Sequence, residues 1–494
     1  MRRFAQLSVL GLGCSIAACG GGRYAGYALK EPSTGEAAYA PPAAPANTEH
    51  YTDYGVNPPK SAAESPLSTF AVDVDTASYS IARRKLLAGG KPPKEAVRAE
   101  EFLNAFDYGY APPAAGSAAP FAVHLAAAPS PYEQGHHLLR VALKGKAVTA
   151  AERVPVHLVY LVDTSGSMNG PDRIELAQKS LHLLTDALRQ GDTVALCTYA
   201  GSVRKVLSPT GVEHKAQIHG AIDQLTASGS TAMASGIDLA YQLANETFVK
   251  GHVNRVIVLS DGDANVGTTS HADILKQIAQ YKEKGITLST VGFGSGNYQD
   301  TMMEQLADKG DGNYVYIDSE KQAKKVFVDQ LDGLLQVIAR DVKVQVAFDP
   351  EVVEKYRLVG YENRAVADKD FRNDKVDGGE IGAGHSVTAI YDVVLKKADA
   401  SPLTVRLRWK KPLGSDPSTE VAVPMPANAI LKTWVEADAR FRLAAAVTGL
   451  AEILRESPYA KGWSWAAVRA VAKDAKVDAT EHTELLELIG RAEK

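Results

Sequence analysis

Residues 154–167 read VPVHLVYLVDTSGS, and this stretch decides the fold. Seven of its first nine residues are large and apolar or aromatic with β-branched valines among them, the mark of a parallel strand buried on both faces. The run stops at Asp163, and Thr164, Ser165, Gly166 and Ser167 follow in a turn. Downstream, Ile174, Ala177, Leu181, Leu184 and Leu188 fall on one stripe of a helix. A strand at TVALCTYA and its hairpin partner VRKVLSPTG come next, then helical stretches over residues 214–225 and 234–247. The strand RVIVLSD, the helix ADILKQIAQYKEKG, the strand ITLSTVGFG, a short helix at residues 301–309, the strand NYVYI and a last helix over residues 319–338 complete the series. Alternation of this kind over residues 151–339 predicts a doubly wound α/β fold with a mostly parallel sheet, whose ligands sit at the carboxyl ends of strands.

The flanks read differently. TFAVDVD is strand-like, ASYSIARRKLLAGG and VRAEEFLNAFDY are helical, and further strands are expected at residues 121–126 and 137–143, all within a flanking region of residues 67–150. Residues 340–430 carry DVKVQVAF, YRLVGYE, VTAIYDVVL and LTVRLRW between turns, an antiparallel β-rich region. Residues 431–494 return to helical periodicity at Phe441, Ala444, Ala445, Leu450, Ile453 and Leu454, then at Val468, Val471, Leu485 and Ile489. Neither β-rich flank alone has enough apolar strands for a core, so residues 121–143 and 341–409 are expected to pair into one sandwich.

The first residues are a targeting segment. Arg2 and Arg3 precede FAQLSVLGLGCSIAA, which is too short to span a membrane as a helix, so residues 1–18 read as a signal peptide. Ile16, Ala17, Ala18 and Cys19 resemble a bacterial lipobox, which makes Cys19 the lipidated first residue of the mature chain; cleavage for ordinary secretion is the alternative. Gly20 stands where an aspartate would signal inner-membrane retention, so the resemblance implies a lipid-anchored protein of the bacterial cell envelope, at the outer membrane. Residues 19–66 are rich in Ala, Pro, Gly and Ser and read as a flexible tether with a reach of roughly 35–40 Å.

Composition narrows the function. At 494 residues the chain holds two or three cores, and its net charge of −4 supplies no general attraction to nucleic acid or to anionic lipid. Cys14, Cys19 and Cys197 are its three cysteines, so no internal disulfide framework exists, and Cys197 in VALC reads as a small buried hydrophobe.

The chemistry gathers in three loops. Asp163, Ser165 and Ser167 present a carboxylate and two hydroxyls at alternate positions, SGSTAM places Thr231 ahead of a helix, and LSDGDANVG puts Asp261 and Asp263 after a strand. Hydroxyls, carboxylates and waters from three loops suit a hard divalent cation, Mg²⁺ better than zinc. Together these elements resemble the metal-ion-dependent adhesion site of the von Willebrand factor type A family. The resemblance covers about 180 residues and implies that Asp163, Ser165, Ser167, Thr231 and Asp261 hold Mg²⁺ or Mn²⁺; Asp263 lies outside the minimal motif. It further implies a metal-dependent protein-binding module, for adhesion or assembly, in which an Asp or Glu of a protein partner completes the cation's shell. The flanking segments DVDTASYSIARRKL and DVKVQVAFDP resemble a bacterial subfamily of exported proteins bearing this domain.

Other readings stand beside this one. The serines of DTSGS serve as helix caps in many proteins. Asp73 and Asp75 resemble paired aspartates of a phosphotransferase superfamily but lack its following element order, and they read as an exposed strand face. Ser165 as a nucleophile with His157 or His182 as base lacks a G-x-S-x-G elbow. A metal-assisted hydrolase would need a base such as Asp263, and a scaffold would leave the cation purely structural. The run from Gly292 to Gly296 has no P-loop Lys-Ser/Thr, so no nucleotide is expected.

Overall fold

The structure is a computed structural model that describes residues 48–230, 232–262, 271–412, 417–477 and 480–494. The signal peptide, Cys19, most of the expected tether, Thr231 and Asp263 lie outside the described residues.

Ahead of the α/β part come β1 (Lys60–Ser61), β2 (Leu67–Ala71), α1 (Ala77–Leu87), α2 (Ala99–Asn104), β3 (Phe121–Pro129) and β4 (His136–Gly145). The α/β part runs through β5 (Val156–Asp163), α3 (Ile174–Ala187), β6 (Thr193–Tyr199), β7 (Val203–Gly211), α4 (Lys215–Asp223), α5 (Met233–Glu246), β8 (Val253–Ser260), α6 (His271–Glu283), β9 (Ile286–Gly292), α7 (Asp300–Lys309), β10 (Tyr314–Tyr316), α8 (Glu320–Lys324) and α9 (Leu331–Leu335). It is followed by β11 (Val337–Phe348), β12 (Val353–Val359), β13 (Gly379–Gly382), β14 (Ser386–Leu395), β15 (Leu403–Lys410) and β16 (Thr419–Pro424). Helices α10 (Ala439–Leu454), α11 (Trp465–Ala475) and α12 (Thr480–Ala492) close the chain.

The α/β sheet has the order β10-β9-β8-β5-β6-β7, parallel throughout except for the β6–β7 hairpin. Every residue of β5 is buried. Its alternate side chains feed two helical layers: Leu158, Tyr160 and Val162 pack with the core under α3 and α4, while Val159 and Leu161 pack with the core under α5 and α6. Because β6 lies on one side of β5 and β8 on the other, the strand order reverses at the carboxyl end of β5, where such folds bind ligands. Cys197 is buried in the second of these cores and its thiol is pushed up to about 12 by burial, as a packed hydrophobe requires.

The two flanks form a second body in common. β4 pairs with β14 in antiparallel register, Leu139 opposite Tyr391, within a sheet of order β1-β12-β14-β4-β3. A second sheet runs β13-β11-β15-β16, with β2 also paired to β11, Phe70 opposite Val344. Leu139, Val141, Tyr391, Val346 and Leu407 share the core between the sheets. The other face of β4 contributes Leu138 and Ala142 to a third layer with α1, α2 and the C-terminal helices, among them Phe102, Phe441, Leu450 and Leu485. The N-terminal flank, the β-rich region and the C-terminal helices, read from sequence as three regions, therefore share their cores. Strand partners and helix layers are chosen across the intervening α/β part, which local periodicity does not report.

Three expectations need correction. The tether does not extend to residue 66: Thr48 N–H donates to the Gly296 carbonyl at 2.7 Å, Glu49 pairs with Arg84 and Lys85, and β1 pairs with β12. Specific tertiary contacts order this segment although its composition is that of a linker. Asp73 and Asp75 are not on an exposed strand face; β2 ends at Ala71, and both carboxylates are buried at 3.2 Å from the Arg364 guanidinium. The helix expected over residues 319–338 is interrupted by a π-turn at Lys325–Asp329, and β11 begins at Val337.

Candidate functional site

Asp163 ends β5 with its side chain fully buried. Its Oδ1 accepts the Ser165 N–H at 2.9 Å and its Oδ2 accepts the Ser260 hydroxyl at 2.9 Å. The turn that follows places Ser165 Oγ 2.9 Å from Ser167 Oγ. These hydroxyls do not cap a helix: the turn Gly166–Met168 has no side-chain cap, and α3 begins only at Ile174, after Arg173.

A second loop is strapped to this turn by backbone. Gly166 N–H donates to the Gly229 carbonyl at 2.9 Å, and Ser228 N–H donates to the Thr164 carbonyl at 2.7 Å. The pair brings the loop leading to position 231 against the DTSGS turn. The third loop leaves β8 at Asp261, also fully buried, whose Oδ2 accepts from Asn297 Nδ2 at 3.0 Å and has Arg173 Nε at 3.9 Å. Gly262 adopts a φ of +75°, and a Cβ there would lie 2.8 Å from the Gln299 nitrogen, so this turn requires glycine.

Four of the five predicted metal residues are described. The structure brings Asp163, Ser165 and Ser167 together in one turn, and Asp261 follows the neighbouring strand, whose Ser260 contacts Asp163 directly. Ser260, Arg173 and Asn297 were not among the sequence candidates. Ser260 adjoins Asp261 in the chain, whereas Arg173 and Asn297 carry no local signal and are recruited by the fold. Within the glycine run, Gly294 makes room for Arg173: it has φ +77°, and a Cβ on it would collide with the Arg173 side chain. Arg173 Nη2 donates to the Asn297 side-chain oxygen at 3.2 Å, and the Gly296 N–H donates to Glu49 at 2.9 Å.

Burial pushes the Asp163 carboxyl up to about 6; hydrogen bonds from Ser165 and Ser260 oppose that rise, and the charge of Asp261 adds to it. Two buried carboxylates and two adjacent hydroxyls, with hard oxygen donors only, fit a divalent cation such as Mg²⁺ and offer nothing that favours a soft metal. The histidines considered as bases lie elsewhere. His157, at the start of β5, bonds Thr193 and His252, each at 2.9 Å, and His182 bonds His219 and Asp223. In the sandwich, Glu133, His136 and Asp392 bring potential ligand atoms within 4.8 Å of one another. There His136 Nδ1 lies 2.7 Å from Asp392 and Nε2 lies 3.4 Å from Glu133, so carboxylates already face both ring nitrogens.

Residues 157–330 match the von Willebrand factor type A domain family, residues 45–140 a family described as von Willebrand factor, and residues 333–494 one described as the C-terminal part of the uncharacterized protein YfbK. Uncharacterized protein YfbK of Escherichia coli K12 is 39% identical over 456 residues, which cover 87% of this chain and 78% of that protein. Uncharacterized protein sll0103 of Synechocystis is 30% identical over 190 residues, 38% of this chain and 44% of its own length. Among solved structures, a von Willebrand factor type A protein from Catenulispora acidiphila aligns with a TM-score of 0.42 at 17% identity, over 69% of this chain and 80% of its own. Domains of the matched family generally mediate protein–protein interaction and typically carry Mg²⁺ or Mn²⁺.

Proposed function

Because the chain belongs to the von Willebrand factor type A family, in the group that includes Escherichia coli YfbK, we propose that it is a membrane-anchored, metal-dependent protein-binding module of the bacterial cell envelope. The observation that carries this reading is the convergence of Asp163 and Asp261, both fully buried, with the paired hydroxyls of Ser165 and Ser167 at the strand-order switch.

In this reading Asp163, Ser165, Ser167, Thr231 and Asp261 hold Mg²⁺ or Mn²⁺. When bound, the cation supplies an electrophilic position that an Asp or Glu of a protein partner can fill. Two protein carboxylates leave the loaded site with little net charge, so an incoming carboxylate gains attraction at short range. Ser260 and the Ser165 amide orient the Asp163 carboxylate, and Asn297 orients Asp261, which prepares both before a ligand arrives. The site binds and does not catalyse. Lipidation at Cys19 attaches the module to the membrane, at the outer membrane by the residue that follows it.

Partner capture from detergent-solubilised cell envelopes tests the reading. With the full chain as bait, partners retained in Mg²⁺ are expected to be lost in EDTA and with Asp163→Ala or Thr231→Val, the aspartate change costing more. Capture indifferent to all three would leave the cation a structural role only, and metal-dependent turnover of an ester or phosphate would replace binding by hydrolysis.

A further inference from the structure

Two short segments of the α/β part carry the same spacing. Residues 182–186 of α3 read HLLTD and residues 219–223 of α4 read HGAID, each placing a histidine and an aspartate four residues apart on one helix face. The helices lie side by side, with Gln178 Nε2 donating to the Ile222 carbonyl at 3.1 Å and Lys215 Nζ to the Asp186 carbonyl at 2.7 Å. The pairs are crossed. His182 Nε2 lies 3.1 Å from Asp223 Oδ1, His219 Nε2 lies 3.1 Å from Asp186 Oδ1, and the two Nδ1 atoms face each other at 2.7 Å.

This arrangement has a consequence for the protons. An ionised carboxylate only accepts hydrogen bonds, so each aspartate keeps the ring hydrogen of its histidine on Nε2. A neutral imidazole with its hydrogen on Nε2 presents a lone pair at Nδ1. Two such lone pairs 2.7 Å apart repel, and a positive occupant between them relieves that repulsion. A proton is one candidate and a metal ion the other. The surroundings are those of a metal site: two imidazole nitrogens converge, and each ring is fixed in tautomer and orientation by a carboxylate behind it, the pattern that metal-ligating histidines show.

We propose that His182 and His219 form a second metal site, for a late first-row divalent cation such as Zn²⁺ or Cu²⁺. Nitrogen donors select these ions over Mg²⁺, so the site differs in chemistry from the oxygen site at the end of β5. With metal–nitrogen bonds of about 2.0–2.1 Å at a tetrahedral angle, the two Nδ1 atoms would stand ~3.3 Å apart, and the rings must separate by roughly half an ångström. Both side chains are about 30% and 26% exposed, which permits that movement and leaves the remaining coordination positions to water. A cation here would clamp α3 to α4. Asp186 and Asp223, at 66% and 67% exposure, are positioning residues that act through the histidines.

The test uses the full chain in excess Mg²⁺, with Zn²⁺ as the calorimetric probe and Cu²⁺ as the spectroscopic one. Wild type is expected to take up one more equivalent of Zn²⁺ than either His182→Ala or His219→Ala, all three having the same circular dichroism spectrum. Asp186→Asn and Asp223→Asn are expected to weaken that equivalent by about 10–100-fold without removing it. Bound Cu²⁺ should show hyperfine coupling to two nitrogens in wild type and lose it in both histidine variants. Equal Zn²⁺ uptake by wild type and His219→Ala, or displacement of Zn²⁺ by Mg²⁺, would overturn the proposal and leave a shared proton as the occupant.

Discussion

The hydroxyl of Ser260 donates to Asp163 Oδ2 at 2.9 Å and ties the end of β8 to the end of β5. Ser260 Oγ in turn accepts the Gly262 N–H at 2.9 Å, so the loop that carries Asp261 and the carboxylate of Asp163 are held by one relay. The relay fixes the spacing of two buried acids before anything binds between them.

That spacing implies opposite effects with and without metal. Asp163→Asn keeps one acceptor oxygen, for the Ser165 N–H, turns its amide toward the Ser260 hydroxyl, which can accept as well as donate, and removes one of two buried charges. In EDTA the variant is expected to melt at or above wild type. In Mg²⁺ the order should reverse, because a ligand at a hundred times its Kd stabilises by about 2.7 kcal/mol where it binds and by nothing where it does not. Thermal melts of both proteins in EDTA and in Mg²⁺ check this; an equal Mg²⁺ shift in both would remove Asp163 from the ligand set.

Glu49 carries a pH dependence of known sign. Burial raises its carboxyl, but the Gly296 N–H, Lys85 and Arg84 outweigh burial and hold it down to about 2, against an ordinary value near 4.5. The folded value lies below the unfolded one, so the contribution is complete above about pH 4.5 and is lost as pH falls toward 2. Glu49→Gln is expected to cost about 1–3 kcal/mol at pH 7, since it leaves Arg84 and Lys85 without their carboxylate. Denaturant unfolding at pH 7 and at pH 3 should show the gap between variant and wild type narrowing at the lower pH.

Leu139 tests the shared sandwich. It is buried in β4 between the sheets and stands opposite Tyr391 of β14. Leu139→Ala is expected to destabilise by about 2–5 kcal/mol. Amide hydrogen exchange should speed up in β14 together with β4, although some 250 residues separate them in the chain. Loosening confined to β4 would contradict a common core.

The proposed membrane anchor is Cys19. Cys19→Ser is expected to leave unprocessed or soluble protein and to abolish incorporation of labelled fatty acid. Membrane fractionation reads the outcome, and unchanged attachment with normal processing would exclude lipidation.

The sequence by itself determined the local half of this protein. Burial on both faces makes β5 an unbroken apolar run, one-sided burial gives α3 its stripe, and a strand must end where Asp163, Ser165 and Ser167 begin, so the α/β fold and the DTSGS and Asp261 loops were legible as pattern. Only the tertiary structure decided which distant groups meet. Asp73 and Asp75 are polar in any reading of the chain, yet Arg364 makes them interior; Glu49 sits in linker-like composition, yet Arg84 and Lys85 hold it on the body. Asn297 reaches Asp261, and His182 reaches His219, through elements whose side-by-side packing no local spacing reports. The physical reason is that periodicity records whether a side chain leaves water, while its partner is selected by the joint packing and electrostatics of segments far apart in the chain.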